Sequence, residues 1–285
     1  MAYHELIDST FNYNGISIKW TSFGSGPPVV FLHGTPWSSQ LWLPIARCFA
    51  RSFTVYLYDL PGYGQSVIPL DKETSFSPTY PEQTKAFCAL LDHWGASRDE
   101  QSFHPHVVAH DIGGAIALRA ILLEERFFSS LALVDCGASY PVDEAFFSLV
   151  RENTSVFISL PSNLHEALLR EYLRRASFNG LRKDQEDMLV APWITADGQR
   201  AFYTQINAQR NEDIKELMEH YRTLDTPVHI IWALNDTWVP VERAYILQKA
   251  IGGTLKVIEH AGHLVHLDAP EELTLELSEW LRSRS

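Results

Sequence analysis

Val107-Val108-Ala109-His110-Asp111-Ile112-Gly113-Gly114-Ala115 is the stretch on which the reading of this chain turns. An apolar run leads into one acidic residue, and small residues follow it. The run reads as a buried strand, the part from Gly113 onward as a helix, and the turn between them as sharp. Small residues let such a turn close, so that the central side chain is presented at the strand's C-terminal end. Amide groups at the start of the helix then face any oxyanion formed there. Asp111 equally suits a plain cap on a helix that begins Gly-Gly. The flanking sequence decides between nucleophile and cap.

On the N-terminal side, Tyr3 to Phe23 alternates loosely around Asn14-Gly15, which predicts an antiparallel hairpin. Val29 to Leu32 and Phe53 to Tyr58 read as strands buried on both faces. Ser38 to Ala50 reads as a helix, Val67 to Tyr80 as loop, and a further helix runs to about Trp94. On the C-terminal side, Leu131 to Val134, Pro227 to Trp232 and Leu255 to Ile258 are further short strands. Helices are expected at Gly113 to Glu124, Val241 to Ile251 and Glu271 to Arg282. After Cys136 the character changes, and Asp143 to Arg222 has helical periodicity, many charged residues and no convincing strand. Strands alternating with helices imply a mostly parallel α/β sheet covered on both faces. The expected organisation is a core domain of residues 1–136 and 223–285, with a helical lid domain inserted at 137–222.

Composition limits the classes of function. The chain has 285 residues, 46% hydrophobic and 20% charged, enough for a sizeable core. Its formal net charge is −12 and it has no basic run, which argues against nucleic acid or an anionic membrane as partner. Cys48, Cys88 and Cys136 lack paired spacing, so neither a disulfide framework nor a zinc site is expected, and a reducing, cytoplasmic setting fits. The N-terminus lacks a signal-peptide pattern, and no apolar window is long enough to span a membrane. No metal and no cofactor is expected; the expected partners are a small apolar molecule and water. Oligomeric state is not readable.

Three further features accompany Asp111, each just after a strand. His33-Gly34-Thr35-Pro36 follows the first buried strand and would place the Thr35 amide beside the Ile112 amide as an oxyanion hole. Asp236 lies in Asn235-Asp236-Thr237-Trp238-Val239-Pro240, and His263 in His260-Ala261-Gly262-His263-Leu264. Open parallel sheets place their sites at the C-terminal ends of their strands. The ordered set of Asp111, Asp236 and His263 therefore reads as nucleophile, orienting acid and base. Asp135, after Val134, is the alternative acid.

These motifs resemble the α/β-hydrolase fold, over nearly the whole chain outside the lid. Within it the chain is similar to the branch of epoxide hydrolases and haloalkane dehalogenases, which use an aspartate nucleophile. His33-Gly34-Thr35-Pro36 matches H-G-x-P, Gly62-Tyr63-Gly64-Gln65-Ser66 matches G-Y-G-x-S, and His110-Asp111-Ile112-Gly113-Gly114 matches H-D-x-G-G. The resemblance implies attack of Asp111 at a saturated carbon, an alkyl-enzyme ester, and its hydrolysis by a water that His263 activates. It also implies a lid tyrosine as acid. Ala201-Phe202-Tyr203-Thr204-Gln205 resembles the segment that carries one, which points to Tyr203, with Tyr140 and Tyr172 as second candidates. Dehalogenases of this kind carry Trp after the nucleophile and usually Asn in the H-G-x loop. Ile112 and Thr35 depart from that pattern and favour epoxides over halides. Trp37, Trp193 and Trp238 are candidate pocket residues. The alternatives are a dehalogenase with an atypical halide site, or the same fold turned to lyase, isomerase or ligand-receptor work.

Overall fold

The computed structural model describes residues 7–68, 76–97, 103–139 and 145–284. Among them, eight short strands form one sheet: β1 (Ser9–Tyr13), β2 (Ile16–Gly24), β3 (Pro28–Leu32), β4 (Thr54–Tyr58), β5 (His106–His110), β6 (Ser130–Val134), β7 (Val228–Ala233) and β8 (Thr254–Ile258). Their order across the sheet is β1-β2-β4-β3-β5-β6-β7-β8. β2 runs antiparallel to both β1 and β4, and every other pairing is parallel. Asn14 and Gly15, both at positive φ (48° and 81°), make the β1–β2 turn. That is the backbone a tight two-residue hairpin requires.

The helices are α1 (Leu43–Arg47), α2 (Tyr80–Ser97), α3 (Ile112–Leu122), α4 (Ala145–Glu152), α5 (Thr154–Ile158), α6 (Ser162–Arg174), α7 (Lys183–Val190), α8 (Ala196–Ala208), α9 (Asn211–Glu219), α10 (Glu242–Ile251), α11 (Val265–Asp268) and α12 (Pro270–Arg282). The long helix expected from Ser38 to Ala50 is instead a 3-10 turn at Ser39–Leu41 followed by α1. Pro44 is the cause, because it lacks the N–H that a continuous helix needs and tolerates only a first turn. Helices α4 to α9 occupy the chain between β6 and β7. None of the described helices is long and apolar enough to cross a membrane.

Successive side chains on a strand face opposite sides, and both sides of this sheet are covered. Val30, Val107 and Leu133 pack with Phe87 and Leu91 of α2 and Ile116 of α3. Val29, Phe31 and Val108 pack with Ile45 of α1 and Leu277 of α12. In the centre Val108 lies level with Phe31 on one side and Ala132 on the other, all fully buried. This register puts the ends of β3, β5, β6, β7 and β8 along one edge of the sheet, and the loops that leave them build the site.

Candidate active site

Asp111 occupies the turn between β5 and α3 at φ 51° and ψ −123°, a conformation that side-chain-bearing residues rarely adopt. The backbone is pinned there. Its N–H donates to Val134 O at 3.1 Å, and its carbonyl accepts from Gly114 N at 3.0 Å and Gly137 N at 3.1 Å. The side chain makes no cap bond to its own helix. Its Oδ2 instead accepts the Thr35 N–H at 2.8 Å. Two glycines bracket the carboxylate. A Cβ on Gly34 would lie 2.6 Å from Oδ2, and one on Gly137 would lie 2.7 Å from Oδ1. Only glycine fits either place.

His263 sits on the loop after β8. Its Nδ1–H donates to Asp236 Oδ2 at 2.8 Å, and its Nε2 faces Asp111 Oδ1 at 4.0 Å. The second value is an ion-pair distance, too long for a hydrogen bond. Asp236 is fixed in turn, because its Oδ1 accepts the N–H groups of Trp238 (2.8 Å) and Val239 (2.9 Å). The His263 loop is tethered by Gly262 N–H to Asp268 Oδ2 (2.9 Å) and by His110 Nε2–H to the His263 carbonyl (3.0 Å).

The electrostatics follow from burial and these partners. Burial holds the Asp111 carboxyl above its usual range, although His263 and the Thr35 and Ile112 amides pull it down. For His263, burial opposes the charge. Asp236, with Asp111 and Asp135 behind it, outweighs burial and lifts the imidazolium to about 9. The resting site therefore sets the Asp111 carboxyl opposite a ring held toward its imidazolium form.

A cavity of about 250 Å³ opens over Asp111 and His263. Phe147, Tyr172 and Trp238 form an aromatic wall, while Thr237, Gln209 and Arg243 are polar lining. Trp238 stacks on Tyr172 (4.6 Å) and on the His263 ring (5.1 Å).

Several expected site residues lie elsewhere. Tyr203 is fully buried and its hydroxyl meets His165 Nδ1 at 2.9 Å. His165 Nε2 is bound to the Trp193 carbonyl at 3.0 Å, so Nε2 carries the ring proton and Tyr203 must donate to Nδ1. The Tyr203 proton is thus committed within the helical block, and Tyr203 does not line the cavity. Trp193 is also fully buried and donates its indole N–H to Pro36 O at 2.8 Å. Trp37 packs behind Trp238 at 5.7 Å and is not part of the cavity wall. Tyr172 and Trp238 do line it. Tyr140 lies outside the described residues. Asp135 accepts the Ala233 N–H at 2.7 Å and makes no bond to His263.

Sequence reading missed Gly137, the glycine partner of Gly34. It also missed Gln205, whose Oε1 accepts the Thr35 hydroxyl (2.5 Å), the Tyr63 hydroxyl (2.6 Å) and the Gln209 amide (3.0 Å). Gln205 lies only two residues beyond Tyr203 on α8, but nothing local distinguishes it as a partner of the loop after β3.

Residues 29–276 match the alpha/beta hydrolase family. The chain belongs to that family. An alpha/beta hydrolase fold protein from Burkholderia ambifaria is 39% identical, with a TM-score of 0.88, over 96% of this chain and 97% of that one. The soluble epoxide hydrolase of Corynebacterium sp. strain C12 is 25% identical over 291 residues, covering 90% of this chain and 91% of that protein. A mutant haloalkane dehalogenase from Agrobacterium tumefaciens superposes with a TM-score of 0.76 at 21% identity, over 96% of both chains. At that last identity the likeness speaks for the fold.

Proposed function

We propose that this α/β hydrolase works through a covalent alkyl ester on Asp111, and that it is an epoxide hydrolase acting on a small molecule. The observation that carries this reading is the setting of the Asp111 carboxylate, with one oxygen on the Thr35 amide and the other 4.0 Å from His263 Nε2. A carboxylate attacks saturated carbon to give an ester, whereas acyl transfer would give a mixed anhydride. In the first step an Asp111 oxygen bonds to the epoxide carbon, the ring C–O bond breaks, and the freed alkoxide takes a proton. Tyr172 is the lid tyrosine that lines the cavity, and it replaces Tyr203 as the acid in this scheme.

The ester removes the charge of Asp111, one of the groups that lifts His263. His263 then gives up its proton more readily; that proton restores the Tyr172 hydroxyl, and the neutral ring serves as base toward water. Water attacks the ester carbonyl, and negative charge develops on the oxygen facing the Thr35 and Ile112 amides. Collapse of that intermediate breaks the ester C–O bond; the departing diol oxygen takes the proton that His263 drew from water, and the carboxyl proton passes to His263, restoring the carboxylate and imidazolium. Residues 137–222 are read as the lid over a core of 1–136 and 223–285, with substrate contacts from both.

Hydrolysis of styrene oxide and 1,2-epoxyhexane in ¹⁸O-water, followed by mass spectrometry of the peptide carrying Asp111, tests the scheme. Label in the Asp111 carboxylate is the expected result. Turnover that never labels it sinks the covalent mechanism. Bromide release from 1-bromohexane, with no epoxide turnover, would turn the reading to a dehalogenase.

A further inference from the structure

Asp268 is the last residue of α11 and stands just ahead of α12. A carboxylate there would suit a helix cap, yet its side chain caps neither helix. Its four donors come from two other stretches of chain. Oδ1 accepts the Ser177 hydroxyl at 2.6 Å and the Asn179 N–H at 3.2 Å. Oδ2 accepts the Phe178 N–H at 2.8 Å and the Gly262 N–H at 2.9 Å. A carboxylate has about four acceptor sites, and these donors fill them. Ser177 to Asn179 belong to the chain that follows α6, and Gly262 is the residue before His263. One half-buried carboxylate thus fastens two distant stretches together, and one of them carries the base.

The two stretches meet on both sides of His263. Leu264, the residue after it, donates its N–H to Ala176 O at 2.9 Å. A Cβ on Gly262 would lie 2.8 Å from Ala176 O and 2.9 Å from Phe178 N, so a side chain has no room there. Thr237, the residue after Asp236, donates its hydroxyl to Arg175 O at 3.3 Å. One short run, 175–179, therefore holds neighbours of both the acid and the base. Asp268 supplies the anion of this seam, and bonds to an ionised acceptor are about twice as strong as neutral ones. The ring has little slack, because Nδ1 lies 2.8 Å from Asp236 Oδ2 and a displacement of about 1 Å would break that bond. We propose that Asp268 is a positioning residue for the reaction: by fastening Gly262 to residues 177–179 it sets the loop of His263, so that the imidazole meets Asp236 only while the chain after α6 is docked. Asp268 does not line the cavity, and it acts through Gly262. Its effect on turnover rests on the reading of His263 as base, whereas its hold on the ring does not.

Asp268→Asn keeps the shape but has one acceptor oxygen, so the donors on the other side would meet an NH₂ group. Proton NMR at low temperature reads the Nδ1–H of His263, which its bond to a carboxylate places far downfield, and Asp236→Asn assigns that resonance by its loss. Asp268→Asn is expected to move the resonance upfield or broaden it away, and to lower turnover of styrene oxide about tenfold or more, as a misplacement of about 1 Å can. A lower melting temperature with resonance and turnover both unchanged would mean a carboxylate that serves the fold alone, and overturns the proposal. A wild type without the resonance overturns it too, as does a change in only one of the two readouts. If Asp268→Asn fails to fold, the double variant Ser177→Ala, Asn179→Ala takes its place, since it strips side-chain ties to the seam and leaves the Gly262 bond intact. It should broaden the resonance and lower turnover about threefold, and no change in either overturns the proposal. A wild type that does not turn over styrene oxide, or never labels Asp111 in ¹⁸O-water, removes the covalent reading. The response of the resonance then decides the role of Asp268 by itself.

Discussion

Asp135 and Asp236 both follow strands and both approach His263, yet their surroundings assign them different work. Asp236 has an oxygen on His263 Nδ1 and two backbone amides on the other. Asp135 gives one oxygen to the Ala233 N–H, and its Oδ2 is buried without a hydrogen-bond partner. Burial, and the nearby Asp236 charge, hold the Asp135 carboxyl well above its usual range. Asn is close to a neutral Asp in shape. Asp135→Asn should therefore keep activity within about threefold and leave stability at pH 8 equal or higher, since it removes a buried ionisable group. Asp236→Asn should lower turnover by about 10³-fold or more, because the imidazole loses its orienting acid. Steady-state rates and melting temperatures of the two variants check this pair. Comparable losses in both would mean that the acids share the role. At this scale the sequence was legible where a residue's place follows from its own strand end, as for Asp111, Asp236 and His263, which the fold brings together. It was not legible for Tyr203, whose partner His165 is set by how α6 meets α8.

Helix α3 meets the sheet as closely as it does because it begins with two glycines. A Cβ on Gly113 would lie 2.6 Å from His33 O. One on Gly114 would lie 2.2 Å from Cys136 Sγ and 3.0 Å from Cys136 Cβ. The helix start is thus wedged between the loops after β3 and β6, which is how Asp111 comes to face both Thr35 and Gly137. Gly114→Ala should destabilise the fold by about 1–3 kcal/mol through overpacking. Adding Cys136→Ala removes the sulfur and should recover part of that loss, leaving the 3.0 Å contact. Urea unfolding of the single and double variants measures it. No recovery in the double variant would show that the backbone, and not the thiol, sets the spacing. Elements of this kind read well from sequence, since strands buried on both faces appear as unbroken apolar runs. Helix breaks read less well. Pro44 was in plain view between apolar residues, but the surrounding periodicity masked it.

At the scale of the whole molecule, six buried imidazoles among the described residues shape how stability varies with pH. Burial lowers His33, His106, His110, His165, His229 and His266 from their ordinary value of 6.5. Below about pH 6.5 the unfolded chain takes up protons on these rings that the folded chain refuses, so stability falls as pH falls. Asp111, Asp135 and Asp213 are raised and oppose this trend, but they are fewer. His263 has the opposite sign to the other rings. Its folded value of about 9 means that its contribution is complete below about 6.5 and is lost as pH rises toward 9. The melting temperature should therefore peak between about pH 6 and 7.5 and decline on both sides. Calorimetry across pH 5 to 9 tests this. His263→Gln should flatten the alkaline decline and leave the acid one in place, and an unchanged alkaline decline would count against the raised imidazolium.

Thr35 joins two parts of the molecule through one residue. Its amide holds Asp111, its hydroxyl holds Gln205 of α8, and the next residue, Pro36, takes the Trp193 indole N–H. The chain between β6 and β7 therefore grips the Thr35-Pro36 pair beside the Asp111 carboxylate. Any swing of its helices wide enough to let go of Gln205 also loosens the donor on Asp111. On the covalent scheme proposed above, the chain has in effect a safety catch: the Asp111 carboxylate is fully armed only while the helices are seated, so a stray electrophile that arrives when they are not meets a blunted group.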